Sequence, residues 1–198
     1  KGRDLKMKKF IRRRVAVILG IIAAALIGIF LVMPAGTDAI ENSEGKILKN
    51  SIAEMEEIKI GGVEQWLVIR GENKNNPVLL LLSGGPGSSE MGRFLKYNQD
   101  LEKEFLVVNW EQRGCGKSFS SSLEQDSLTV EQYVKDVNEL ANYLKDRFNK
   151  EKIYLLGHSW GTIIGTLAVK EEPENFHAYI GAADRKSTRL NSSHYRTS

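Results

Sequence analysis

Three unbroken apolar runs constrain the fold of this chain more than any other feature. They are PVLLLL at Pro77–Leu82, FLVVNW at Phe105–Trp110 and KIYLLG at Lys152–Gly157. Apolar runs without polar alternation are typical of strands buried on both faces of a parallel sheet. Parallel strands need long crossover connections, which are usually helices. We therefore predict an open α/β sheet with right-handed crossovers.

The segments that flank these runs predict further strands. EIKI at Glu57–Ile60 and QWLVIRG at Gln65–Gly71 indicate a hairpin that turns at Gly61 and Gly62. HAYIGA at His177–Ala182 should open the next strand. We place the α/β domain at residues 56–183, and its length permits one packed core.

A long amphipathic helix is predicted between the second and third apolar runs. Thr129 and Gln132 form a capping-box pair at its start. Apolar side chains then recur every three or four residues and should face the sheet. This stripe consists of Val130, Val134, Val137, Leu140, Ala141, Leu144 and Phe148.

The segment Val15–Met33 is apolar throughout and spans roughly 28 Å as a helix, close to the thickness of a bilayer core. The basic residues of segment 1–14 precede it, so the positive-inside rule places that end in the cytoplasm. We therefore expect a single-pass membrane anchor with residues after Pro34 outside the cytoplasm, joined to the domain by a linker at 34–55. A cleaved signal peptide ending near Thr37–Ala39 and a buried core helix are the alternatives.

Charge is distributed unevenly along the chain. The formal net charge is +3, but between Val15 and Ala183 acidic residues outnumber basic ones. An acidic folded part argues against nucleic-acid binding, which requires a basic face. The polar, basic tail at residues 184–198 resembles the translation of a sequencing adapter, and we expect it to be non-native. A disordered natural tail is the alternative.

The stretch GHSWG at Gly157–Gly161 predicts a catalytic nucleophile. It has the pattern G-x-S-x-G, and it follows an apolar strand and opens a helix, the context that this motif requires. We expect Ser159 to lie on a strained turn, with Gly157 and Gly161 preventing side-chain collisions across it. Gly165 should let the following helix approach the sheet closely.

The stretch SGGPG at residues 83–87 follows the first apolar run, where an oxyanion loop would belong. Two backbone N–H groups usually stabilise the oxyanion of acyl transfer, and we assign them to Gly85 and Trp160. A glycine-rich turn without a ligand is the alternative. RGCGKS at residues 113–118 is not a phosphate loop, because Glu111 stands where the first glycine would be needed. No Cys/His cluster has metal spacing, and we predict no metal or cofactor.

The motifs SGGPG, WEQRGCGKS and GHSWG, in this order and spacing, resemble those of the prolyl aminopeptidase family of α/β-hydrolases. The resemblance implies an α/β-hydrolase fold and a serine acyl-enzyme that removes amino-terminal residues, often proline, from small peptides. Ser83 stands where the family usually has His, and Glu111 where it usually has Asp. Esterases and amide hydrolases share this lineage, so an ester or amide substrate stays open.

A serine nucleophile needs a histidine base and an orienting acid, which follow it in this fold in the order Asp or Glu, then His. His158 adjoins the nucleophile, His177 should enter its strand from the opposite edge, and His194 lies in the tail. We therefore expect the base, its acid and the substrate cap to lie beyond residue 183, and the chain as given to be inactive. A non-catalytic, membrane-anchored binding module is the competing class.

Overall fold

The computed structural model describes residues 12–25 and 36–182. The chain divides into two compact units, Lys1–Ala35 and Gly36–Ser198. In the first unit, residues 12–25 form helix α1. No helix within the described ranges is both long enough and apolar enough to cross a membrane. The predicted anchor Val15–Met33 extends beyond residue 25, so part of it falls outside the described residues, as does the whole predicted tail at 184–198.

The second unit is an α/β sheet with helices on both faces. Its strands are β1 Ile52–Ile60, β2 Val63–Gly71, β3 Val78–Leu82, β4 Leu106–Glu111, β5 Ile153–His158 and β6 Phe176–Ala182. Its helices are α2 Met91–Tyr97, α3 Val130–Phe148 and α4 Trp160–Glu171, with short 3₁₀ turns at Gln99–Lys103, Gly116–Ser118, Gln125–Ser127 and Pro173–Asn175. The described strands follow the order β1-β2-β4-β3-β5-β6.

The pairing confirms a mostly parallel sheet with an antiparallel end. β3 pairs in parallel with β4 and β5, and β5 pairs in parallel with β6. β1 and β2 form the predicted hairpin, and β2 runs antiparallel to β4. The carboxyl ends of β3, β4 and β5 therefore meet at one edge of the sheet, where ligands bind in folds of this kind.

The sheet is buried on both faces, as its unbroken apolar runs predict. Val78, Leu80 and Leu82 of β3 pack into the larger core with α3 and α4. Leu79 and Leu81 point to the other face, where Phe94 of α2 packs against them. All five residues are 3% exposed or less, and burying a leucine contributes about 1.5–3 kcal/mol.

Helix α3 has the predicted apolar stripe and half of the predicted capping box. The Thr129 side chain accepts a hydrogen bond from the Gln132 backbone N–H at 3.2 Å. The Gln132 side chain does not return to Thr129, because its amide donates to the Asp136 carboxylate at 2.9 Å. Asn149, in a left-handed conformation at φ 50°, ends the helix.

Three local features differ from the sequence predictions or were not foreseen. β1 begins at Ile52, earlier than the predicted Glu57, because the strand continues its pairing as far as Gly71. The sequence did not indicate α2, a short helix in which only Met91 is buried. Within the segment expected to be a linker, Ile40 is buried and Thr37 accepts a hydrogen bond from Arg70 at 2.7 Å.

Candidate active site

Ser159 occupies a sharp turn between β5 and α4. Its backbone has φ 51° and ψ −109°, a conformation that residues with a Cβ seldom adopt and that costs on the order of 1–3 kcal/mol. The residue is exposed, and it is the N-cap of the 12-residue helix α4, whose dipole directs partial positive charge toward it. Its N–H donates to the Ala182 carbonyl at 3.0 Å, which ties the turn to β6.

The two glycines of the motif are required by close backbone contacts. A Cβ at Gly157 would lie 2.4 Å from the Gly161 carbonyl oxygen. A Cβ at Gly161 would lie 2.2 Å from the carbonyl oxygen of Leu82, the last residue of β3. A Cβ at Gly165 would lie 2.8 Å from the Tyr179 ring, so α4 approaches the sheet as closely as expected. Side chains at these positions would push the turn away from the sheet.

The loop after β3 lies beside the serine. A Cβ at Gly84 would be 3.4 Å from the Ser159 Cβ, and Gly85 has φ 137°, which only glycine adopts readily. The Trp160 ring packs edge-on against Tyr133, with centroids 5.7 Å apart. The N–H groups of both predicted donors, Gly85 and Trp160, have no protein acceptor in the described chain.

Glu90 is a site residue that the sequence analysis missed. It lies before α2 and is only 5% exposed. Its Oε2 accepts the Gly84 N–H at 2.7 Å and lies 2.8 Å from His158 Nδ1, while Arg93 lies 3.2 Å from Oε1. No periodicity or motif marks this glutamate, and it is 68 residues from His158 in sequence. The sheet topology brings the two together.

Glu111 supports the loop that follows β4. Its carboxylate accepts hydrogen bonds from the Ser89 hydroxyl and from the Lys117 N–H, the latter at 2.9 Å. A Cβ at Gly116 would overlap this carboxylate, which explains the glycine. The side chain is 3% exposed. Glu111 therefore supports this loop, although the family that the motifs resemble usually has the shorter aspartate at this position.

A buried ion pair also holds the loop that follows β4. Arg113 donates to both oxygens of Asp136 at 2.5 and 2.7 Å, and the two side chains are 1% and 0% exposed. Arg113 also donates to the Gly61 carbonyl at 3.1 Å, and Gln65 donates to Asp136 at 3.1 Å. The side-chain amide oxygen of Gln65 accepts a hydrogen bond from the Trp110 indole N–H at 2.9 Å. This network joins the hairpin turn, the loop after β4 and α3.

Cys115 lies in this loop and is buried at 3% exposure. Burial, with the nearby Glu111 carboxylate, raises the pKa of the thiol from 9.0 to about 11. A thiol with so high a pKa holds its proton at neutral pH and is a poor nucleophile. Within the described ranges, no group of three or more His, Cys, Asp and Glu residues is arranged to hold a metal ion.

The described histidines do not supply a base to Ser159. His158 engages Glu90 rather than the Ser159 hydroxyl, with its Nδ1 2.8 Å from the Glu90 Oε2. His177 lies at the start of β6, its ring 5.2 Å from that of Tyr154, at the edge opposite the site as predicted. His194 falls outside the described residues. Within residues 36–182, then, no hydrogen bond to the Ser159 hydroxyl comes from a histidine.

A family model described as alpha/beta hydrolase fold matches residues 77–194. The chain is 41% identical over 133 residues to the "Probable aminopeptidase YbaC" of Bacillus subtilis (strain 168), covering 67% of this chain and 42% of that protein. It is 31% identical over 131 residues to the "Proline iminopeptidase" of Lactobacillus helveticus (strain DPC 4571), covering 65% of this chain and 43% of that one. These findings confirm the resemblance that the motifs indicate.

Among solved structures, the chain is similar to the proline iminopeptidase-related protein of Thermus thermophilus. The TM-score is 0.56 at 25% identity, covering 66% of this chain and 44% of that one. The chain thus spans less than half the length of the relatives it matches. The matched range of the family model passes residue 182, so the non-native character of residues 184–198 stays a prediction.

Proposed function

Because the chain belongs to the alpha/beta hydrolase fold family, we propose that it is part of a serine peptidase in which Ser159 is the nucleophile. One observation carries this proposal: an exposed serine is held at φ 51° at the carboxyl edge of the sheet, beside a glycine loop. This backbone conformation is unfavourable, and it is explained if the Ser159 hydroxyl must project toward the substrate.

In the proposed reaction, the Ser159 hydroxyl oxygen attacks the carbonyl carbon of the scissile amide and loses its proton to a base. The C–N bond then breaks, and the amine leaves with a proton from the same base. Water next attacks the acyl-enzyme, releases the acid product and restores the hydroxyl. Ser159 thus divides one difficult hydrolysis into two easier steps.

The proposed oxyanion donors are the backbone N–H groups of Gly85 and Trp160. Neither group donates to a protein acceptor in the described chain; Gly85 lies in the loop after β3, and Trp160 is the first residue of α4, directly after Ser159. Each attack places negative charge on the carbonyl oxygen, and donors fixed in advance stabilise that charge without reorganisation. The amino terminus of α4 adds partial positive charge on the same side.

We propose that the base and its acid lie outside residues 36–182. His158 is held by Glu90, and His177 lies at the far edge of the sheet. In this fold the acid and the histidine follow the serine in sequence. The relatives are more than twice as long as the matched segment, which leaves room for both residues and for a substrate cap.

The proposed substrates are short peptides with a free amino terminus, proline among the residues removed. The names of the relatives, an aminopeptidase and a proline iminopeptidase, support this class. The test uses the complete parent protein, meaning the full product of the gene that carries this sequence. We expect it to hydrolyse proline p-nitroanilide, and we expect Ser159→Ala to lower kcat by at least about 10⁴-fold.

The matched control is Ser121→Ala, which removes the hydroxyl of an exposed loop serine and should leave kcat unchanged. A Ser159→Ala variant with normal kcat would refute the nucleophile assignment. A parent protein that cleaves esters but no amino-terminal amide would refute the peptidase assignment alone.

We also propose that residues 15–33 anchor the protein in a membrane, with the hydrolase domain on the extracytoplasmic side. The uninterrupted apolar run and the preceding basic residues support this arrangement. The parent protein should stay in the membrane fraction after an alkaline wash, and protease added outside intact cells should digest its domain. A soluble product that begins near Ile40 would instead identify a cleaved signal peptide.

Within residues 36–182 no base or acid for Ser159 is identified, and we therefore expect the chain as given to be inactive. We expect purified residues 34–198 to show no turnover above a Ser159→Ala control. Turnover that depends on Ser159 would mean that a residue within 34–198 acts as base, and His177→Ala would be the first variant to make.

A further inference from the structure

We propose that Glu90 is a positioning residue, whose carboxylate holds the oxyanion loop against the nucleophile turn. This proposal rests on the proposed function of Ser159. Glu90 Oε2 accepts the Gly84 N–H at 2.7 Å and pairs with His158 Nδ1 at 2.8 Å. Gly84 directly precedes the proposed donor Gly85, and His158 directly precedes Ser159. One carboxylate oxygen therefore contacts the neighbour of the donor and the neighbour of the nucleophile.

The hydrogen-bonded pairing of β3 with β5 ends just before the two residues that Glu90 contacts. β3 and β5 pair as far as Leu82 and Gly157, and the chains then separate into loop and turn. Beyond that pair, the hydrogen bonds that join residues 83–87 to residues 158–161 within the described chain run through Glu90. The spacing between the Gly85 N–H and the Ser159 hydroxyl thus depends on a side chain rather than on the sheet.

Stability alone does not explain a buried carboxylate at this position. Glu90 is 5% exposed, and removing a carboxylate from water costs several kcal/mol before its partners compensate. The exposed Arg93, at 3.2 Å, contributes little because solvent screens it. The two shorter bonds recover the desolvation cost only in one geometry, with both loops in place. Because both hydrogen bonds need this one geometry, the carboxylate holds the two loops in alignment.

The chemistry of the bridge predicts which substitution it tolerates. A carboxylate can only accept, so His158 Nδ1 must carry the proton of that hydrogen bond. In Glu90→Gln, an amide oxygen placed where Oε2 now lies can accept from both partners. Its amide nitrogen would then face Arg93, which is exposed and free to move away. Glu90→Ala removes both bonds.

The kinetic test compares three variants of the complete parent protein on proline p-nitroanilide. Glu90→Ala should lower kcat by about 10- to 100-fold with KM changed less than about threefold, because misplacing the oxyanion donors affects the transition state. Glu90→Gln should retain kcat within about fivefold. Glu102→Ala is the matched control, since Glu102 is 6% exposed and pairs with Arg70 at 2.9 Å at the opposite sheet edge. It should lose stability but retain kcat.

The proposal is overturned if Glu90→Ala keeps kcat within twofold, if Glu90→Gln is as impaired as Glu90→Ala, or if Glu102→Ala loses kcat equally. The proposal is supported if Glu90→Ala loses kcat while Glu90→Gln and Glu102→Ala retain it. Ser159→Ala, assayed alongside, separates this result from the proposed function. A parent protein without Ser159-dependent turnover refutes that function and leaves the bridge to be tested by hydrogen exchange.

Amide hydrogen exchange measures the bridge without any substrate. In Glu90→Ala the amide of Gly84, which loses its acceptor, should exchange at least about tenfold faster, and so should the amide of Ser159, whose hydrogen bond to the Ala182 carbonyl depends on the position of the turn. In Glu102→Ala the same two amides should be unchanged. Equal exchange in the wild type and in Glu90→Ala would contradict the proposal, whatever the substrate. If Glu90→Ala fails to fold, Glu90→Gln still tests the proposal, because its exchange and kcat must both stay close to the wild type.

Discussion

Replacing Ser159 by glycine should stabilise the domain relative to replacing it by alanine, although both changes remove the hydroxyl. The reason is the φ of 51° and ψ of −109° at this position. Alanine keeps the Cβ that makes this conformation unfavourable, by on the order of 1–3 kcal/mol. Glycine removes that strain but makes the unfolded chain more flexible, which costs about 0.5–1 kcal/mol. The glycine variant should therefore be the more stable by about 1 kcal/mol.

The assay is urea unfolding of the parent protein followed by tryptophan fluorescence, for which the described domain provides Trp66, Trp110 and Trp160. The matched control is the pair Ser121→Gly and Ser121→Ala at an exposed position with ordinary φ. There glycine should be the less stable by about 0.5–1 kcal/mol. The difference between the two pairs gives the backbone strain at Ser159. If the glycine variant is less stable than the alanine variant at both positions, the backbone at Ser159 is not strained.

Three further predictions concern the supports of the site. Asp136→Ala leaves the buried Arg113 guanidinium unpaired and should lower the free energy of unfolding by about 3–5 kcal/mol, as urea unfolding would show. Gly161→Ala places a Cβ 2.2 Å from the Leu82 carbonyl oxygen and should lower that free energy by at least about 2 kcal/mol, whereas a tolerated alanine would contradict the close packing. Because the pKa of Cys115 is raised from 9.0 to about 11, the folded chain keeps a proton there that the unfolded chain loses, so stability should fall as pH rises through that window, by up to about 1.4 kcal/mol per pH unit. The urea midpoint should fall between about pH 8 and pH 10.5, and it should fall less in Cys115→Ala than in the wild type. An equal fall in both proteins would contradict the raised pKa of Cys115.

The sequence predicted the sheet and the nucleophile turn because both depend on local patterns. Residues 78–82 carry no polar group, and burial on both faces follows from that alone. Gly157 and Gly161 indicate a turn in which backbone meets backbone, and the structure shows those contacts. The start of α3 was likewise readable from Thr129, which caps it.

The features that were missed depend on tertiary contacts. Helix α2 is short, and its N-cap residue Glu90 makes no capping hydrogen bond, so the usual start signal is absent. The role of Glu90 follows from its contact with His158, which only the strand order creates. Asp136 looks like an ordinary polar residue on a helix, and its burial is explained by the hydrogen bonds that it accepts from Arg113, Gln65 and Gln132. Sequence patterns report local periodicity, and they do not report which distant polar groups meet.

If Ser159 is an activated nucleophile, its hydroxyl should react covalently with a serine-directed fluorophosphonate. The complete parent protein is treated with a fluorophosphonate, digested, and examined by mass spectrometry to locate the adduct. We expect a single phosphonyl group on the peptide that contains Ser159, formed at a rate that Ser121→Ala leaves unchanged and absent from Ser159→Ala. An adduct on a different residue, or equal labelling of the Ser159→Ala variant, would contradict it.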